Sequence, residues 1–178
     1  MLTDGQLIEL AKRMDIPLER VSFKDELKDQ PLKYNVGYII NLENALDENG
    51  DPNEGSHWTA FTVRKYKNDK IEPIYFDSYG KPPPEEVKLF VDKHLPFTTK
   101  DIQSLMGNVC GYYCLAFLYW IYSFKDRSGN LYEDVENFLD LFLDLNLETD
   151  FKYNDYVLRQ FFKSDNGVKH IVNFSEWK

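Results

Sequence analysis

The chain has 178 residues, a formal net charge of −9 and an aromatic content of 16%. This length and aromatic content favour one packed domain over residues 1–178 and argue against a disordered chain. The acidic balance argues against DNA or RNA as the main partner, because nonspecific nucleic-acid affinity comes from basic residues that neutralise phosphates.

Apolar periodicity and turn residues predict the elements of the first half of the chain. Thr3 or Asp4 can cap a helix whose apolar residues recur at helical spacing. Alternating residues at 57–66 and 71–76 predict two strands, and the turn formers Asn68-Asp69 join them into a hairpin. Between the helix and the hairpin we expect a charged, irregular stretch at 24–34, a strand at 36–41 and a polar loop at 47–55 that is rich in turn formers.

In the second half, three prolines at 82–84 precede a helix that starts near Glu85. Residues 109–124 are apolar but shorter than the ~20 residues that a membrane span needs, so we expect a buried central helix from Cys110. The remaining predicted elements are a short strand at 98–103, a helix capped at Asn130 with an apolar stripe to Leu145, a helix at 154–162 and a strand at 170–172. This order fits an α+β fold with segregated helices.

The two cysteines of the chain have different predicted roles. Cys110 lies at the start of its helix, where the helix dipole favours the nucleophilic thiolate, and Gly111 leaves room for a substrate backbone. Cys114 lies one turn deeper, where a small buried hydrophobe is expected. This spacing suits a disulfide poorly, and no signal peptide is visible, so we expect a soluble protein in a reducing compartment.

A histidine and an acid are predicted to meet at one end of the hairpin. His57 begins the first strand and Asp77 follows the second, so the hairpin returns Asp77 to the side of His57. An acid there can accept the imidazole N–H and fix its tautomer. Trp58 is expected to pack on the core or to shield the site, and His94 and His170 have no comparable setting.

Gln103 precedes Cys110 by seven residues, which is enough for a short loop to return beside the nucleophile. Its side-chain amide can donate to an oxyanion, with the Cys110 backbone N–H as the second donor. The chain therefore carries the groups of a cysteine peptidase: nucleophile, general base, base-orienter and oxyanion donor.

Residues 36–120 resemble the adenain family of adenovirus-type maturation proteases and their relatives, the SUMO-specific proteases. Within these groups they are most similar to the protease of virophages and Polinton-type (Maverick) elements. The motifs that carry the resemblance are Gly-Ser-His57-Trp58-Thr-Ala-Phe, Tyr75-Phe76-Asp77-Ser-Tyr-Gly, and Gln103 with Cys110-Gly111-Tyr-Tyr-Cys.

The resemblance implies a papain-like fold in circular permutation, a mixed sheet and a central helix that bears the nucleophile. It implies His57 as base, Asp77 as orienter, Gln103 as oxyanion donor and Cys110 as nucleophile, with no metal and no cofactor. It further implies a monomer that cleaves capsid or core precursors after small residues such as Gly, in the virion and in the viral factory of the host cytoplasm. DNA activation is not carried over, because adenovirus enzymes are basic and this chain is acidic.

Two other functions remain open at this point. The same site could serve an isopeptidase for ubiquitin-like modifiers, which sequence does not separate from an endopeptidase. A catalytically inactive binding or virion structural module could also keep this fold.

Overall fold

The computed structural model describes residues 1–105, 107–146 and 151–177; residues 106, 147–150 and 178 of the predicted single domain lie outside this description. A four-stranded sheet has the order β1-β2-β3-β4. Its strands are β1 (Leu18–Phe23), β2 (Gly37–Asn41), β3 (Trp58–Lys65) and β4 (Ile71–Phe76). The sheet is mixed, because β1 runs parallel to β2 whereas β3 is antiparallel to both β2 and β4.

Helices cover both faces of this sheet. In the described part of the chain they are α1 (Asp4–Arg13), α2 (Glu85–Val91), α3 (Cys110–Tyr122), α4 (Leu131–Leu139) and α5 (Phe151–Ser164), with short 3-10 helices at Lys24–Leu27 and Phe174–Glu176. One core lies between the sheet and α1, α3, α4 and α5, and a smaller core lies under α2 on the opposite face. The described helices are all too short or too polar to cross a bilayer. The architecture agrees with the predicted α+β class.

The hairpin forms as its alternation predicts. On β3, Ala60 faces the larger core and Phe61 the smaller one, so the strand is buried on both sides. Asp69 adopts a left-handed φ of 65° in the turn, a conformation that aspartate tolerates better than most residues. Ala60 pairs with Phe76, so the start of β3 and the end of β4 lie at the same end of the hairpin.

Helix α3 crosses the larger core and is buried along most of its length. It approaches β2 closely because Gly37 has no side chain: a Cβ there would lie 2.7 Å from a Leu118 methyl carbon. Phe117 stacks on Phe76 of β4 at a centroid distance of 4.5 Å. These contacts fix the position of α3, and therefore of its first residue, relative to the hairpin.

The structure corrects several predicted elements. Residues 18–23, not predicted as a strand, form β1 by parallel pairing with β2. Residues 98–103 are irregular, although Phe97 just before them forms an isolated bridge with Tyr75 of β4. Residues 170–172 lie in a turn and irregular segment. Each error concerns a short segment. Whether such a segment pairs as a strand depends on residues distant in the chain, and the segment itself has no local periodicity that shows it.

Candidate active site

Cys110 is the first residue of α3, as predicted, and its side chain lies almost entirely below the surface. The first N–H groups of a helix have no intrahelical acceptor, so the Cys110 N–H belongs to the set of donors available at this end. The backbone N–H of Trp58, at the start of β3, donates to the Cys110 sulfur at 3.5 Å. The nucleophile is thus in direct contact with the residue that follows the predicted base.

His57 precedes β3 and is held by a buried asparagine on the neighbouring strand. The Asn41 side-chain oxygen accepts a hydrogen bond from the Ser56 N–H at 3.1 Å, and the Leu42 N–H donates to the His57 carbonyl at 3.0 Å. Gly55 has a φ of +86° and lies against the Asn41 side chain, where a Cβ would collide with it. The loop before His57 is therefore fixed by β2, and sequence reasoning missed this role of Asn41.

The His57 and Asp77 side chains meet as the hairpin predicts. His57 Nε2 lies 2.7 Å from Asp77 Oδ1, and Asp77 is 1% exposed. The same Asp77 oxygen accepts the backbone N–H of Tyr79 at 2.9 Å, which fixes the carboxylate. With Nε2 committed to Asp77, Nδ1 is the ring nitrogen that stays open to Cys110, which acts on the pKa of His57. The structure therefore brings the predicted base and its predicted orienter into hydrogen-bond contact, beside the predicted nucleophile.

The environment of His57 favours the imidazolium. Burial by itself lowers the pKa of the ring, but the hydrogen bonds to Asp77 and Cys110, and the charges of the same two groups, raise that pKa to about 9. An imidazole with this pKa holds a proton beside the Cys110 sulfur at neutral pH.

Gln103 is buried and fixed by Ser78, which follows Asp77 directly. The Ser78 hydroxyl donates to Gln103 Oε1 at 2.6 Å, and the Ser78 carbonyl accepts the Gln103 N–H at 3.2 Å. The Gln103 amide nitrogen donates to the Gly107 carbonyl at 3.0 Å and to the Tyr79 hydroxyl at 3.2 Å. The structure thus places Gln103 beside the Asp77 turn, and its role toward an oxyanion stays a prediction.

Tyr79 was not singled out from the sequence, although it lies two residues after Asp77. Its ring stacks on the His57 ring at a centroid distance of 4.6 Å. Burial, followed by nearby negative charge on Cys110, Asp77 and Asp101, raises the pKa of its phenol above the ordinary value. The clue in the sequence was its place inside the Asp77-Ser-Tyr-Gly turn, which carries three side chains to one site.

Trp58 and Gly111, the residues expected to shield the site and to leave room for a substrate, both have contacts within the protein. The Trp58 ring is buried in the larger core, and its indole N–H donates to the Leu2 carbonyl at 2.9 Å. Gly111 faces the N-terminal segment: a Cβ there would lie 3.1 Å from a Leu7 methyl and 3.3 Å from Leu2. The missing side chain at Gly111 therefore allows the close approach of α1, and its role toward a substrate backbone stays a prediction.

The remaining titratable candidates lie apart from this chemistry. Cys114 is fully buried, which raises the pKa of its thiol well above the ordinary value and opposes a nucleophilic role. His94 and His170 are exposed. Among the described residues no three His, Cys, Asp or Glu side chains form a group that could hold a metal ion.

No protein-family model matches this chain, and no curated protein matches it. Among solved structures, the chain is similar to one described as the crystal structure of the de-sumoylating protease. The two chains are 14% identical with a TM-score of 0.45, and the match covers 95% of this chain and 78% of the other. At this level the likeness bears on neither the family nor the activity.

Proposed function

We propose that this chain is a cysteine endopeptidase that cleaves viral capsid or core precursors during virion maturation, after small residues such as Gly. The observation that carries the chemistry is the chain from Asp77 through His57 to Cys110, with Nε2 2.7 Å from the Asp77 carboxylate. The choice of a viral precursor as substrate comes from the motif resemblance alone.

The geometry supports acyl transfer in two steps. Cys110 attacks the carbonyl carbon of the scissile peptide bond as a thiolate, while His57 holds the proton. The oxyanion that forms is stabilised by the Cys110 N–H and by the side-chain donors around Gln103. The C–N bond then breaks as His57 gives its proton to the leaving amine, and a thioester remains on Cys110.

Water completes the cycle. It attacks the thioester carbonyl while His57 accepts its proton, and the C–S bond breaks to release the acid product and the Cys110 thiolate. Asp77 keeps its charge throughout and stabilises the imidazolium formed in both steps. The preference for small side chains next to the scissile bond comes from the motif resemblance.

Co-expression with candidate capsid proteins from the same genome tests this function. We expect fragments whose new N-termini follow small residues, and no fragments with Cys110→Ala, which removes the nucleophile. The Cys114→Ala variant is the matched control, because it removes the other thiol one helical turn away. Intact precursors beside efficient release of a ubiquitin-like modifier from a lysine conjugate would move the assignment to an isopeptidase. A Cys110 that resists thiol-reactive probes as fully as Cys114 would identify an inactive module.

A further inference from the structure

Tyr79 contacts three parts of the site at once. Its ring stacks on His57, its backbone N–H donates to Asp77, and its hydroxyl oxygen accepts a proton of the Gln103 amide at 3.2 Å. A surface tyrosine beside a cleft would need none of these contacts. They indicate that the residue belongs to the reacting centre.

The hydrogen bonds of Gln103 leave its amide without a spare donor. A glutamine side chain has two N–H protons and one carbonyl acceptor. One proton goes to the Gly107 carbonyl and the other to the Tyr79 hydroxyl, while Ser78 donates to the amide oxygen. In this arrangement the amide of Gln103 has no proton left for an oxyanion.

The Tyr79 hydroxyl, unlike the Gln103 amide, still has a proton to donate. A phenol can accept a hydrogen bond and still donate its own proton. It accepts from Gln103, and within residues 1–105, 107–146 and 151–177 no group accepts the Tyr79 proton. Burial and the negative charge of Cys110 and Asp77 disfavour the phenolate, so the phenol keeps this proton. A hydroxyl that accepts a hydrogen bond becomes a better donor, because such chains polarise one another.

Building on the proposed cysteine peptidase, we propose that Tyr79 is a further catalytic residue whose hydroxyl donates to the oxyanion, with Gln103 behind it. No proton is transferred in this step. The hydrogen bond from the Tyr79 hydroxyl to the substrate oxygen shortens as the carbonyl becomes C–O⁻. It lengthens again when the thioester forms. Gln103 then acts as a positioning residue that orients and polarises the phenol.

Two reactions of Cys110 separate this role from a structural one. Acylation by p-nitrophenyl acetate passes through an oxyanion, whereas alkylation by iodoacetamide at a saturated carbon does not. The Tyr79→Phe variant keeps the ring on His57 and removes the hydroxyl. We expect its acylation rate to fall by about 10²–10³, the usual effect of one lost oxyanion donor, with an unchanged alkylation rate. Tyr132→Phe, which removes a half-buried hydroxyl that donates to the Pro73 carbonyl at 3.0 Å, should change neither rate.

A comparison with Gln103→Ala identifies the donating atom. If the phenol donates, Tyr79→Phe costs more than Gln103→Ala, and the double variant is about as slow as Tyr79→Phe, because the two groups act as one unit. Acylation of Tyr79→Phe at the wild-type rate, or a larger loss in Gln103→Ala, would overturn the inference. These rates require no peptide substrate, so a wild-type chain that is acylated but cleaves no precursor refutes the proposed function and leaves the Tyr79 comparison intact.

Discussion

Asp77→Asn is the most informative single change, because it removes one charge from the catalytic chain and keeps its shape. The pKa of His57 is about 9 against an ordinary value of 6.5. At about 1.4 kcal/mol per unit, the surroundings favour the imidazolium by about 3 kcal/mol. Since burial acts in the opposite direction, Asp77 and Cys110 together contribute more than this. We therefore expect Asp77→Asn to lower the pKa of His57 by at least about one unit.

The pH profile of kcat/KM measures this shift. Its upper limb marks loss of the His57 proton, so the wild-type limb should lie near pH 9 and the variant limb at least about one unit lower. The maximal kcat should fall by up to ~10⁴, as in a serine peptidase whose aspartate becomes asparagine. Asp134→Asn is the matched control, because Asp134 is also buried but its Oδ1 accepts the Ser128 N–H. An upper limb that stays near pH 9 in Asp77→Asn would refute the reasoning.

The same shift predicts how stability depends on pH. The folded-state pKa of His57 is raised, so its contribution is fully present below the unfolded-state value of 6.5 and is lost as the pH rises through about 9. The His57 side chain is 12% exposed, so little of the effect is screened. We expect up to ~3 kcal/mol of unfolding free energy from this group to be lost between pH 6.5 and 10. Urea unfolding of the wild type and of Asp77→Asn across this range measures it, and the variant should lose less.

Four further changes test other parts of the molecule. Cys110→Ala should abolish peptide cleavage and thiol alkylation at the site, whereas Cys114→Ala should keep activity and lose stability, visible as a lower Tm. Gln103→Ala should lower kcat and kcat/KM together by about 10², with KM little changed; a raised KM at constant kcat would instead assign Gln103 to substrate binding. Gly80→Ala should destabilise the fold by more than about 1 kcal/mol, because Gly80 has a φ of +70° and a Cβ would collide with the Thr99 carbonyl; urea unfolding at equal stability to wild type would contradict this.

The contact between His57 and Asp77 could be predicted because the two residues flank one hairpin. Alternation along β3 and β4 set the strands, the turn at Asp69 set the register, and counting from the turn brought Asp77 back to His57. These signals are local, so the sequence carries them in readable form. Strand β1 gave no such signal, since it is a half-buried edge strand defined by parallel pairing with β2.

The contacts of Gln103 and Gly111 could not be predicted, because they depend on partners that local sequence patterns do not identify. Gln103 bonds to Ser78, which is 25 residues away, and to a carbonyl in the loop that follows it. Gly111 meets Leu7 of α1, more than one hundred residues away in the chain. Sequence spacing gives the reach of such side chains but not the partners that occupy their donors and acceptors. The packing of α1 on Gly111 could not be predicted, because the neighbour of a helical glycine depends on which helix packs there.

The two halves of the site therefore depend on different parts of the fold. His57 and Asp77 are held within the β3–β4 hairpin and by Asn41 of β2, so their contact survives wherever the sheet is intact. Cys110 lies on α3. The position of this helix is set by the packing of Phe117 on Phe76 and by the missing side chain at Gly37, which lets Leu118 approach. Because packed interiors transmit small displacements, a core change under α3 moves the sulfur relative to the imidazole without disturbing the base. Such a change lowers the turnover rate through the geometry of attack, since a displacement of about 1 Å can cost 10²-fold in rate, while the hydrogen bond between His57 and Asp77 remains.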